Sequence, residues 1–228
     1  GHGEGDGATG VRLDDGVDAF CFDPELAPDS SAAVWQGWSP PDMPWDAAHI
    51  VTCVLADRTW ARWRPEGAAV QQPRCISAGN TAVVHDASGW LNVYVDAKPV
   101  LAEAFEQAGP TWGMGQRSFV LSPDEKRVAL CRNERGFGRL VVVERSTGAV
   151  TNIGKGGHGQ LSWNGNTIVA LRTGAVTPTQ IVAYDLSDPD IKPPRTVLAV
   201  GPAEGWQQFE LPEPEVIEVD GLFARRYA

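Results

Sequence analysis

Four stretches of the chain share one shape, and their spacing limits the fold more than any other feature of the sequence. Each opens on a turn of the Ala/Ser-Pro-Asp or Asn-Gly-Asn kind, runs into a strand-like segment, crosses a polar turn and enters a second strand ending in Asp or Glu. They are DPELAPDSSAAVWQGW (23–38), QQPRCISAGNTAVVHDASGWLNVYVD (71–96), RSFVLSPDEKRVALCRNERGFGRLVVVERSTGAV (117–150) and GQLSWNGNTIVALRTGAVTPTQIVAYDLSD (159–188). With Pro28, Ala78, Pro123 and Asn164 as equivalent turn positions, the spacings are 50, 45 and 41 residues. A period of about 40–50 residues with about four strands per unit is the signature of a β-propeller. The expected fold is therefore all-β, a propeller of about four to five blades of four-stranded antiparallel sheet. Four units leave apolar blade faces and strand edges open in a larger ring, so the chain is expected to be part of one.

The strand assignments rest on short apolar runs bounded by Gly, Pro, Asp or Asn. These are HIVTCVL (49–55), TAVVHD (81–86), LNVYVD (91–96), RVALCR (127–132), RLVVVER (139–145), TIVALR (167–172) and QIVAYDL (180–186). One stretch, VLAEAFEQAG (100–109), has helix-forming residues and a Gly stop, and stays open between helix and loop. The final polar turns of the third and fourth units, STG (146–148) and SDPD (187–190), are expected on outer hairpins.

Charge and cysteine usage narrow the partners. Nineteen Lys and Arg against 29 Asp and Glu leave a net charge of −10, which argues against nucleic acid or an anionic membrane as partner. No run approaches the ~18 apolar residues of a membrane helix, and the first residues, GHGEGDG, are no signal peptide. The chain begins with Gly rather than Met, which points to a fragment or a processed product. Cysteines 21, 53, 75 and 131 form no Cys-x-x-Cys and read as small buried thiols in a reducing compartment. A cytoplasmic location is expected.

The residue clusters that suggest chemistry mostly have plainer readings. His2, His49, His85 and His158 are scattered, and His49 and His85 have no acidic or Cys neighbour at ligand spacing; no metal site is assigned. GKGGHGQ (154–160) lacks the Lys-Ser/Thr and helix of a phosphate loop and reads as a turn between blades. DLSDPD (185–190) lacks the spacing of a calcium loop and reads as a hairpin end. No cofactor is expected. The dense segment WQGWSPPDMPWD (35–46) mixes large amphipathic rings with residues that end a strand ladder. It reads as the close of one strand followed by a structured loop, with Asp46 placed to accept from a backbone or indole N–H.

Several of these motifs, in order, resemble the non-catalytic β-propeller of the prolyl oligopeptidase family of serine peptidases, in its dipeptidyl aminopeptidase/acylaminoacyl-peptidase-like branch. They are LAPDS and LSPDE, MPWD (43–46), SGWLNVY (88–94), GPTWGMG (109–115), NERGFGRL (133–140) and LPEPEVIEVDG (211–221). The resemblance divides the chain into an irregular or incomplete first strand (1–20), the blades (21–210), and a last propeller strand with the start of a connection to an α/β-hydrolase domain (211–228). It implies a region that gates and positions a peptide substrate for that partner domain. Trp45, Asp46, Trp90 and Trp112, with Glu134 and Arg135, become the candidates for substrate binding or the domain interface. Acidic residues on the propeller bind the substrate's amino terminus in some relatives, which is the role considered for Glu134. The chain departs from the family in lacking Gly-x-Ser-x-Gly, the elbow that carries the nucleophile; SAG (77–79), DASGW (86–90) and RSTG (145–148) each miss a flanking Gly. No catalytic residue is assigned. Two alternatives are a free-standing binding propeller and a metal-dependent propeller hydrolase.

Overall fold

β-Branched side chains are stiff at χ1 and suit extended backbone. In the computed structural model of the chain, which describes residues 10–14, 16–76, 80–202 and 210–227, all seven apolar runs lie on strands. The first sheet holds β1 (Phe20–Leu26), β2 (Ala32–Trp38), β3 (His49–Val54) and β4 (Trp60–Trp63). The second holds β5 (Val70–Cys75), β6 (Thr81–His85), β7 (Asn92–Val95) and β8 (Lys98–Pro99). The third holds β9 (Phe119–Leu121), β10 (Arg127–Glu134), β11 (Phe137–Glu144) and β12 (Val150–Lys155). The fourth holds β13 (Gly157–Asn164), β14 (Thr167–Gly174), β15 (Thr177–Asp185) and β16 (Arg195–Val200). All pair antiparallel in chain order. β17 (Glu215–Val219) and β18 (Leu222–Arg226) pair only with each other, across a turn in which Asp220 and Gly221 both have positive φ.

Side chains alternate across a strand, so a strand apolar at every position serves two cores at once. In the third sheet Val128, Leu130, Val141 and Val143 pack against Ala82, Val84, Val93 and Val95 of the second. Their sequence neighbours Ala129, Leu140 and Val142 pack instead against Leu161, Ile168, Ala170 and Val182 of the fourth. Val34 and Ile50 of the first sheet meet Val70 and Val83 of the second. Each sheet thus shares a core with the next, the packing of consecutive propeller blades.

The repeat frame holds in space. Pro28, Pro123 and Asn164 all fall at or beside the hairpin between the first and second strands of a sheet, while Ala78 lies outside the described residues. STG and SDPD join third to fourth strands. Gly156 alone links β12 to β13, with φ +104, and a Cβ there would stand 2.7 Å from the Thr173 carbonyl oxygen. GKGGHGQ is thus a turn between sheets, as its sequence suggests. One open reading is decided and one expectation changes. Residues 100–109 form no helix, and the one described helix, α1 (Pro44–Ala47), is a single turn inside MPWD. The cysteines are free, but of the four expected to be buried only Cys53 is fully so; Cys75 and Cys131 are half-buried, and Cys21, on an edge strand, is exposed. No helix among the described residues is long and apolar enough to cross a membrane.

Candidate functional site

In an antiparallel four-stranded sheet, the link from the second to the third strand and the link from the fourth strand onward emerge at the same end. Here that end carries segments 39–48, 86–91, 135–136 and 175–176, together with the long connection 100–118. Every candidate from the sequence (Trp45, Asp46, Trp90, Trp112, Glu134 and Arg135) lies on one of these segments or at the strand end beside it. The topology therefore gathers all six at one end of the blades.

The connection 100–118 is a strap rather than a helix because its hydrogen bonds go elsewhere. Asn92, fully buried, donates from Nδ2 to the Phe105 carbonyl (3.0 Å) and accepts from the Glu103 N–H (3.0 Å). Gln107, also fully buried, accepts the Val93 N–H (2.8 Å) and donates to the Leu101 carbonyl (3.1 Å). Glu106 accepts the Leu91 N–H at 2.8 Å. Two buried amides and one carboxylate thus replace a helical ladder.

Two connected clefts at this end are lined in part by the segments that carry candidate residues. The smaller, about 180 Å³, lies between Trp45, Asp86 and Glu106. The larger, about 1000 Å³, runs from Glu106 across the ends of the third and fourth sheets to Arg225 and Tyr227 of the terminal hairpin. Leu91, Glu106 and Pro110 belong to both, so the two are continuous. Trp45 walls the smaller cleft. Asp46 accepts the Met43 N–H at 3.2 Å and so caps α1, the backbone contact that its sequence position suggests. Trp90 is 40% exposed and Trp112 80% exposed, and neither lines either of these two clefts. Arg135 stands on the β10–β11 turn over the Phe223 ring.

Glu134 is already partnered. Its Oε2 lies 3.3 Å from Arg132 Nη2 and 3.8 Å from Arg139 Nε. Arg132 also binds Glu103 at 2.5 Å. Both contacts fall on Oε2, so a substrate ammonium at Glu134 would share the carboxylate with Arg132 and Arg139.

The wall of the larger cleft is what the sequence reading missed: Arg132, Arg139, Lys155, Arg172 and Arg225 face only two lining carboxylates, Glu106 and Glu213. One signal was present. Arg132 and Arg172 end matching runs, RVALCR and TIVALR, one repeat apart, and both sit near the same end of the second strand of their sheets.

The same cleft shows little that could do covalent chemistry. Cys131 lines it, but burial pushes its thiol up to about 12, and the thiol donates to the His158 carbonyl at 3.1 Å. His158 places Nδ1 2.9 Å from the Gly156 carbonyl, so Nδ1 carries the proton and Nε2 accepts from the Tyr184 hydroxyl at 2.8 Å. Burial, helped by Arg172 and Arg195, lowers its pKa to about 4. Among the described residues no group of three His, Cys, Asp or Glu is arranged to hold a metal ion. The arrangement can bind, orient and exclude.

No family model matches the sequence, and no curated protein does. Solved structures do. A puromycin-hydrolyzing peptidase from Mycobacterium tuberculosis superposes with a TM-score of 0.78 at 22% identity, over 91% of this chain and 33% of that one. A puromycin hydrolase matches with a TM-score of 0.75 at 20% identity, over 90% and 32%. Prolyl oligopeptidase B from Galerina marginata, solved with a 25mer macrocyclization substrate, matches with a TM-score of 0.58 at 10% identity, over 78% and 26%. The chain spans about a third of the length of the first two peptidases. At these identities the shared feature is the fold, a β-propeller portion of a larger chain.

Proposed function

We propose that the chain is the non-catalytic propeller region of a serine peptidase of the prolyl oligopeptidase family, with residues 21–210 as blades and 211–228 as the start of the connection to an α/β-hydrolase domain. Its work is to admit, hold and present a peptide to that domain. The chemistry would be acyl transfer through a Ser acyl-enzyme, carried by the partner domain. Four free thiols fit a reducing cytoplasm.

One observation carries this reading. The terminal hairpin folds back onto the loop end of the blades, so that Glu213, Pro214, Arg225 and Tyr227 wall the same cleft as the facing ends of β10 and β11 and the β14–β15 turn. A domain joined after Tyr227 would begin at the mouth of that cleft. A cavity of about 1000 Å³, at the upper end of ordinary ligand sites, suits a short peptide and rejects a folded protein by size alone.

The test has two parts. The reading frame beyond Ala228 is expected to encode a Gly-x-Ser-x-Gly followed by Asp and His, and its product to cleave short peptides. The 228-residue chain alone is expected to release no p-nitroaniline from aminoacyl-p-nitroanilides. A stop codon at that point would favour a free-standing binding propeller, and turnover by the purified chain would defeat the reading.

A further inference from the structure

The charge of the larger cleft is opposite to that of the molecule. Three of its cations, Lys155, Arg172 and Arg225, have no carboxylate within 4.0 Å among the described residues. Arg172 spends Nε on the Lys155 carbonyl (3.0 Å) and Nη1 on Gln180 (3.4 Å), neither of which offsets its charge. Arg225 and Arg139 both stand over the Phe137 ring, at 4.9 and 5.6 Å.

The register sharpens the point. Arg139 on β11 is the direct partner of Lys155 on β12, so two like charges face each other across the ladder. Such pairs destabilise a sheet. The Glu134 carboxylate is shared by Arg132 and Arg139 and forms no ion pair with Lys155, Arg172 or Arg225. Cations crowded in a cleft of a chain with net charge −10 form a focused positive field suited to charge-assisted, bidentate capture of a carboxylate.

We propose that the larger cleft binds a peptide by its C-terminal carboxylate, held by Lys155, Arg172 and Arg225 with Arg139 beside them. The proposal rests on the reading that the cleft receives peptides, and it supplies the anchored end. Phe137 and the Val176 turn offer the neighbouring residues an apolar wall. An acidic side chain near the end of a peptide presents the same group, so the experiment separates the two sources.

Binding to the 228-residue chain is measured by calorimetry at low salt for trialanine, trialanine amide and Ala-Glu-Ala amide. Trialanine is expected to bind at least about tenfold tighter than its amide, the loss of one charge-assisted contact. Lys155→Gln and Arg225→Gln, both at exposed positions, are each expected to weaken trialanine about tenfold with unchanged thermal melting. Lys126→Gln, the same charge change at the opposite end of the blades, is expected to leave binding intact. Equal binding of acid and amide would sink the carboxylate site while leaving the peptide reading standing. Preference for Ala-Glu-Ala amide over trialanine would overturn the C-terminal assignment in favour of acidic side chains. Inorganic phosphate binding where trialanine does not, or no binding by any peptide, would overturn the proposal, the last result also counting against the peptide reading.

Discussion

His85 and His158 are held neutral by the fold, and this ties stability to pH. His85 is buried in a stack on Tyr94, with ring centroids 3.5 Å apart, and accepts the Ala87 N–H. Burial lowers its pKa to about 4, as burial lowers that of His158. Between about pH 6.5 and pH 4 the unfolded chain binds protons that the folded chain refuses, so stability falls as pH falls through this window. Melting temperature against pH should therefore drop on acidification from about 7 to about 4, with a shallower slope in His85→Phe and in His158→Gln. Parallel slopes in all three proteins would show that neither imidazole is responsible. The thiols give a second residue-level expectation. Burial pushes Cys131 up to about 12 and Cys75 up to about 11, and Cys53 is fully buried. Only Cys21 is exposed. Iodoacetamide at about pH 8 should label Cys21 first and the other three on unfolding, as thiolate character and access require; early labelling of Cys131, read by peptide mass, would contradict the packing.

At the scale of elements, the strap 100–118 and the blade strands make opposite demands on sequence reading. Blade strands were legible because a run such as VALCR must be apolar on both faces to join two cores, and because its turns recur at fixed spacing. The strap was not, because VLAEAFEQAG has helix propensity and its real constraint lies in Asn92, a residue of another element. Gln107→Ala would remove an acceptor and a donor from a fully buried site. It is expected to cost about 1–3 kcal/mol in urea unfolding, while Ala104→Ser, exposed on the same strap, should cost less than about 0.5 kcal/mol. Equal costs for the two would mean that the buried amide does not hold the strap. The site was legible in part for the same reason. MPWD and the Glu134 turn stand out by composition, whereas the basic wall is assembled from separate strands, β10, β11, β12, β14 and β18. A further recurrence stayed hidden. The first strands of three sheets each break register around one residue of positive φ: Asp23, Gln72 and Gln160. These are β-bulges that bend the strand, and neither Asp nor Gln announces one by its propensity.

For the whole molecule, stability should vary along the row of blades. The second and third sheets are covered on both faces by neighbouring cores. The fourth shares a core with the third through Ile168, Ala170 and Val182, whereas Leu171, Ile181 and Val197 are 39–41% exposed. Among the second strands this shows in the burial: β6 is buried at four of five positions, but β14 only at alternate ones in its first half. In arrays of stacked units, stability is close to a sum of unit and nearest-neighbour terms, and regions with few buried contacts open at lower free energy than the core. Hydrogen exchange followed by mass spectrometry should therefore find β6, β10 and β11 most protected, with β15 and β16 exchanging earlier through local opening. Leu130→Ala, in the core between the second and third sheets, should cost about 2–5 kcal/mol and speed exchange on both sides of it. Leu171→Ala, on the open face of the fourth, should cost under about 1 kcal/mol. Uniform protection across all four sheets, with Leu130→Ala accelerating every strand equally, would mean that the blades unfold as one unit and that the uncovered face carries no local weakness.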